Sequence, residues 1–205
     1  MSASVPATAE EDEASYIVAF GRMVMAWNRA EASLRQLLAG LCGGNTIEAN
    51  LKARIVTAEL GSAGLTYALN SFAANLLPPE VAERVEHAVK YYDRLRVYRN
   101  YYVHGITSVT TATQQALGII IMMTAKNELV EHQDFIAVDR LQWLEEKSEV
   151  LHTFAVAIMR HLFWSGPAVG SPREPLPDMQ SLPDSLVKNR VNLREKFPPP
   201  PASPL

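Results

Sequence analysis

The chain has 205 residues, 48% hydrophobic and 20% charged, with a net charge of −3 from 19 basic and 22 acidic side chains. Such a chain is long enough to bury a core without covalent staples, and its single cysteine, Cys42, excludes a disulfide framework or a cysteine-based zinc site. The slightly acidic balance excludes a surface coated for nucleic acid, so any RNA contact has to be local. The longest apolar run, Leu117 to Met123, falls far short of the roughly 18 residues of a membrane span. The acidic start MSASVPATAEEDEAS has no apolar segment and is unlike a signal peptide, so a cytoplasmic protein is expected.

Residues 1–13 are small, polar and acidic, and are expected to be disordered. From Ala14 to Cys42, apolar residues fall at Phe20, Met23, Val24, Trp27, Leu34, Leu38 and Leu41, the 3–4 residue spacing of one helix face. Gly43-Gly44 stops this helix. A second helical region runs from Thr46, its N-cap, to about Leu76, with Gly61 and Gly64 bending or splitting it. Pro78-Pro79-Glu80 starts a third helix and Gly105 ends it. That helix carries Val81, Val85, Ala88, Tyr92, Leu95 and Val103 on one side.

The pattern then changes to β-branched runs at Ile106–Thr111, Leu117–Thr124 and Leu129–Ala137, read as a small antiparallel meander over about 106–138. A fourth helix starts at Asp139, with Gln142 completing a capping box, and runs to about Trp164. Ten of the 13 prolines lie between Pro167 and Pro204, so residues 165–205 form an extended tail ending in a polyproline stretch, Pro198–Pro201. Its apolar residues (among them Leu176, Met179, Leu182, Leu186, Val187 and Val191) predict packing on the body or on a partner. The expected fold is all-α with a β insert, in one domain over 14–164.

Two charges interrupt apolar stripes. At about 100° per residue, Arg99 falls in the middle of the third helix's stripe, and Glu31 falls inside the first helix's, between Trp27 and Leu34. A buried charge needs a partner, so these two opposite charges are expected to meet across the packed helices. Their pairing is either a structural ion pair that fixes register or a device by which Glu31 orients Arg99 in a cleft. Arg96, Asn100 and His104 form a second set at i, i+4 and i+8 on the adjoining face. Five of the seven tyrosines lie between Tyr91 and Tyr102 and cannot share one helix face. Tyr98, Tyr101 and Tyr102, beside Arg94, Arg96 and Arg99, are candidates for stacking on RNA bases or a nucleotide; a tyrosine-rich dimer interface is the alternative.

The string Arg99-Asn100-Tyr101-Tyr102-Val103-His104-Gly105, closing a long helix, resembles the signature of the HEPN superfamily, an arginine and a polar residue followed by a histidine after four to six positions. The Trp27/Glu31/Leu34 pattern and the strand-bearing insert are similar to bacterial members, and the resemblance covers about residues 14–164. It implies an up-and-down four-helix bundle that forms a homodimer, with the Arg/His motifs of two copies in one cleft. It implies a metal-independent endoribonuclease, without cofactor, of a toxin–antitoxin, stress or antiviral (phage-defence) system, with an antitoxin protein as a candidate partner and neither membrane nor DNA expected. Arg99, Asn100 and His104 would be catalytic, with Glu31 and Arg96 in support.

The chemistry suits those side chains. Metal-free RNA cleavage uses the substrate's own 2′-hydroxyl as nucleophile, a group titrating near neutrality to move its proton (His104), and a fixed cation on the phosphorane (Arg99). Two other readings remain open: a non-catalytic HEPN-like dimer that binds a nucleotide or protein with the tail as docking arm, and a helical scaffold in which the charges are only a core ion pair.

Overall fold

Five α-helices carry most of the chain in the computed structural model, which describes residues 9–43, 46–110, 117–125, 129–163, 174–187 and 190–192, with side chains over 13–43, 46–104, 136–163 and 174–187. Helix α1 spans Ala9–Gly43, α2 Ile47–Ala58, α3 Ser62–Leu76, α4 Pro79–Gly105 and α5 Val138–Phe163. Among these residues no helix is long and apolar enough to cross a membrane.

Helix α1 begins five residues before the expected Ala14. The run Glu10 to Glu13 lies in its first turns, where the macrodipole favours carboxylates, so acidity extends the helix rather than dissolving it. The expected disorder before Ala9 lies outside the described residues. The second helical region is two helices, giving five rather than four. Thr46 caps α2, its hydroxyl accepting from Ala49 N at 3.2 Å, and the chain leaves helix at Glu59–Gly61 before α3. In α5 Asp139 sits in the first turn, two residues later than a cap.

Each helix reverses the direction of the one before it, so the first and fifth run parallel. The contacts climb in step: Ser15 and Ala19 beside Val138 and Gln142, Ser33 beside His152, Gly40 beside Phe163. Helix α4 runs against α5, with His87 on Phe154 at one level and Tyr98 on Trp143 at another. The common core holds Met23, Trp27, Leu34, Leu65, Leu69, Val85, Tyr92, Leu95, Leu144, Leu151 and Ile158, spread over α1, α3, α4 and α5. Helix α2 contributes to none of this cluster; only Ala53 and Thr57 of its residues are buried.

Between α4 and α5 the backbone forms strands β1 (Ile106–Thr110), β2 (Leu117–Ala125) and β3 (Leu129–Ala137). A fourth, β4 (Arg190–Asn192), comes from the tail and pairs antiparallel with β3 through Val130–Asn192 and His132–Arg190, giving the sheet order β1-β2-β3-β4. The tail thus covers one sheet edge that would otherwise offer free backbone groups. Residues 174–187 have no regular structure, yet they lie on the helical body. Leu176, Leu182 and Leu186 pack on the core, Pro183 is buried with its carbonyl accepting from Arg94, and His161 Nδ1 donates to Glu174 O at 2.7 Å. Met179 and Val187 remain exposed. The polyproline stretch lies outside the described residues.

Candidate functional site

The last two turns of α4 present a polar face. Upstream, the helix buries Val81, Val85, Ala88, Tyr92 and Leu95; Arg99 continues the same line but is only half-buried. A long guanidinium can lay its methylenes on the core and turn its head toward water. Arg96, Asn100 and Val103 are half-buried and His104 is exposed, so Arg96, Asn100 and His104 line the open side beside it.

Arg99 Nη1 is the hub of this face. It donates to Asn100 Oδ1 at 3.2 Å and lies 3.1 Å from His104 Nε2. A guanidinium has donors only, so His104 Nε2 is the accepting nitrogen and the imidazole proton sits on Nδ1. The sequence spacing of five is not a helical neighbour spacing; the reach of the arginine closes it. Arg96 Nη2 stands 3.0 Å from Asp93 Oδ1, yet among the described residues that buried oxygen has no aligned hydrogen bond, so the pair is an ionic contact only. The Nε atoms of Arg96 and Arg99 are both buried and have no hydrogen-bond partner among the described residues. Leaving such donors unmade is costly, and both arginines would recover bonds by reorienting onto an anion.

The expected meeting of Arg99 with Glu31 does not occur. Glu31 Oε1 accepts from Arg35 Nη2 at 2.6 Å and Nε at 3.1 Å, and its Oε2 accepts from the Tyr92 hydroxyl at 2.8 Å. Arg35 in turn donates to Thr57 O at 3.0 Å, near the end of α2, and to Leu60 O at 2.8 Å, just beyond it. Trp27 stacks on Tyr92, with ring centroids 4.8 Å apart. Burial, more than the nearby Glu31, raises the Tyr92 phenol above its ordinary range. Glu31 therefore joins α1, α2 and α4, and it supports the fold rather than Arg99. Arg35 was the overlooked partner; its i, i+4 spacing from Glu31 was visible in the sequence.

The tyrosines also depart from expectation. Tyr98, Tyr101 and Tyr102 are 3%, 0% and 2% exposed, so none offers a ring to a base in this structure. Tyr98 packs the seam between α4 and α5, 5.0 Å from Trp143, and the three rings pack on one another, Tyr98 and Tyr101 each about 6 Å from Tyr102, edge to face or tilted. Burial raises the Tyr98 phenol, and Arg140, Asp184 and Arg94 act on it more weakly. Arg140 lies over the Trp143 ring at 5.2 Å. This pair stands i and i+3 at the start of α5, with Trp143 against Tyr98, and the sequence reading passed over it.

A serine–histidine contact elsewhere, between α1 and α5, is structural. Ser33 Oγ lies 2.6 Å from His152 Nδ1 and 2.9 Å from Arg29 O. Ser33 is 2% exposed, and the nearby Glu149 is engaged by Arg29, so the pair lacks both access and an acid. Among the described residues no group of three His, Cys, Asp or Glu side chains could hold a metal.

No known protein family, no curated protein and no solved structure matches this chain.

Proposed function

We propose that the Arg99–Asn100–His104 face is a ribonuclease-type site, in a HEPN-like helical bundle with an inserted β-meander. The chain would act as a metal-independent endoribonuclease of a toxin–antitoxin, stress or phage-defence system in the cytoplasm. The contact that carries this reading is Arg99 Nη1 to His104 Nε2 at 3.1 Å, with Asn100 on the same guanidinium nitrogen. One subunit already holds the three side chains together.

The chemistry runs as follows. An RNA phosphate draws the Arg99 guanidinium onto its oxygens, assisted by Arg96, and this frees the His104 Nε2 lone pair. Nε2 then takes the proton of the ribose 2′-hydroxyl. The 2′-oxygen bonds to phosphorus, the bond from phosphorus to the 5′-oxygen breaks, that oxygen takes a proton from water, and the protonated His104 returns its proton to solvent. The products are a 2′,3′-cyclic phosphate and a 5′-hydroxyl. Asn100 keeps Arg99 and His104 in register.

The test is cleavage of single-stranded RNA in excess EDTA, followed by identification of the cyclic phosphate end. His104→Ala and Arg99→Met should each lower the rate by roughly 10²–10⁴-fold with helicity unchanged. Equal behaviour of wild type and both variants on every RNA tried would end this reading.

A second reading is a non-catalytic homodimer that takes a nucleotide or phosphate-bearing partner at the same face. One observation favours it: the three tyrosines that would stack on bases are buried. It predicts that Arg96→Met and Arg99→Met abolish binding of a nucleoside phosphate while no RNA is cut.

A further inference from the structure

The segment 174–187 carries Leu176-Pro177-Asp178 and, six residues on, Leu182-Pro183-Asp184. In an extended chain, whether its period is two or three, residues six apart share a side. The structure turns that side inward. Leu176 and Leu182 both pack on the helical body and Pro183 is buried, while Asp178 and Asp184 are exposed. The repeat is thus a pair of Leu-Pro anchors on one side of an extended strand.

The segment follows the outer seam between α4 and α5. His87 faces Phe154 and Tyr98 faces Trp143, so Arg94 stands level with Lys147. At one end His161 Nδ1 donates to Glu174 O at 2.7 Å; further along, Arg94 Nη1 donates to Pro183 O. From His161 to the level of Lys147 is about 21 Å along α5. The nine steps from Glu174 to Pro183 cover this at about 2.3 Å each, an extended path rather than the 1.5 Å rise of a helix. Both donors meet main-chain carbonyls, which any extended backbone offers, so the leucines and prolines supply the selectivity.

The helical body completes its core without this segment. Among the described residues the buried apolar cluster comes from α1, α3, α4, α5 and Ile136 of β3, and Leu176, Leu182 and Leu186 are only half-buried against it. His87 lies on the same side of α4 as Arg94, two turns earlier. Its Nε2 is buried with no hydrogen-bond partner among the described residues. A polar atom left unmet beside the tail is a contact that a different occupant can make.

We propose that the outer seam of α4 and α5 is a docking groove for extended protein segments of the pattern Leu-Pro-x-x-x-x-Leu-Pro, where x is any residue, and that the chain's own tail occupies it as an exchangeable ligand. The partner is a protein presenting that pattern, and it enters where the tail lifts away. This does not rest on the ribonuclease reading. Arg94 stands about 160° around α4 from Arg96, so the groove and the Arg99–His104 face lie on different sides of the helix.

The test keeps the whole chain. A protease site inserted between Gly170 and Ser171 is cut after folding, which leaves the tail held without a covalent link. On dilution the tail fragment should leave with a Kd of about 10 μM, and the helical circular dichroism should persist. A fluorescent peptide of residues 174–192 should bind the cut chain with about the same Kd. It should bind the uncut chain about 100-fold more weakly, because the tethered tail competes at an effective concentration of about 1 mM. Leu176→Ala or Leu182→Ala in the peptide should weaken binding by about tenfold, and a Gly inserted between Ser181 and Leu182 by at least about as much. Asp178→Ala should change it by less than about twofold, since that side chain faces water. Arg94→Met in the cut chain should weaken it by about tenfold. A Gly/Ser peptide carrying only the two Leu-Pro units should bind within about tenfold of the tail peptide.

Loss of helical signal as the fragment leaves would make the segment part of the fold and overturn the proposal. So would a fragment that millimolar peptide does not displace, binding indifferent to both leucines, or a Gly/Ser peptide that fails to bind. None of these readouts involves RNA cleavage, so failure here and failure of the ribonuclease reading are distinguishable.

Discussion

Arg99 and Glu31 show how a helical wheel can locate a charge correctly and assign it the wrong partner. Both sit on apolar stripes, and both find polar company, but within reach of their own helices: Glu31 with Arg35, Arg99 with Asn100 and His104. The local partner prevails because an i, i+4 arginine is already held near the carboxylate by the helix and loses less freedom on pairing. Arg99 lies seven residues beyond Tyr92 on α4, about 10 Å along the axis, so Glu31 cannot hold both. A double-mutant cycle measures the difference. Glu31→Gln with Arg35→Met should give a coupling of about 1 kcal/mol in urea unfolding, since the pair is partly exposed and each partner also serves Tyr92 or the end of α2. Glu31→Gln with Arg99→Met should be additive within about 0.5 kcal/mol. A larger coupling in the second cycle would restore the expected ion pair.

Helix boundaries were the most legible part of the fold, because caps and breakers act locally. Thr46, Pro78-Pro79 and Gly105 bound their helices where sequence chemistry puts them. The two glycines near the end of α1 have different reasons for being there. A Cβ on Gly43 would lie 2.7 Å from the backbone Cα of Asn50, whereas a Cβ on Gly40 would meet the Phe163 ring at 2.6 Å. Phe163 is the last residue of α5 and partly exposed, so its ring can turn aside; the backbone of α2 cannot. Gly43→Ala should therefore cost about 1–3 kcal/mol and loosen α2 in hydrogen exchange. Gly40→Ala should fall within about 1 kcal/mol of wild type, because helix propensity offsets the displaced ring. Equal costs at the two positions would contradict the close α1–α2 approach.

At the scale of the whole molecule, the core is rich in tyrosine, and this links its stability to alkaline pH. Burial pushes the phenols of Tyr16 and Tyr91 up to about 12, with Glu146 adding to the effect at Tyr91. Tyr92 is raised by burial as well. A phenol whose pKa is higher in the folded than in the unfolded chain binds its proton more tightly in the fold. Its contribution is complete below the unfolded value of about 10 and is lost as the pH climbs toward 12. Helix content should therefore fall between about pH 10 and 12, and the phenolate absorbance of the buried rings should rise with that loss. Titration of all seven tyrosines near pH 10 with the helices intact would contradict it.

The periodicity, the caps and the proline count by themselves determined that the chain is mainly helical, where most helices start and stop, and that a non-helical tail follows. These follow from backbone stereochemistry and apolar spacing, which neighbouring residues decide among themselves. Only the tertiary structure decided that the tail returns over the body through Pro183 and adds a strand to the sheet. It also decided that Tyr98, Tyr101 and Tyr102 are buried, and that α2 turns its large side chains outward. A wheel gives the angle of each residue about its own axis, but which angle meets a neighbour depends on how all five helices pack at once, through contacts between residues far apart in the chain.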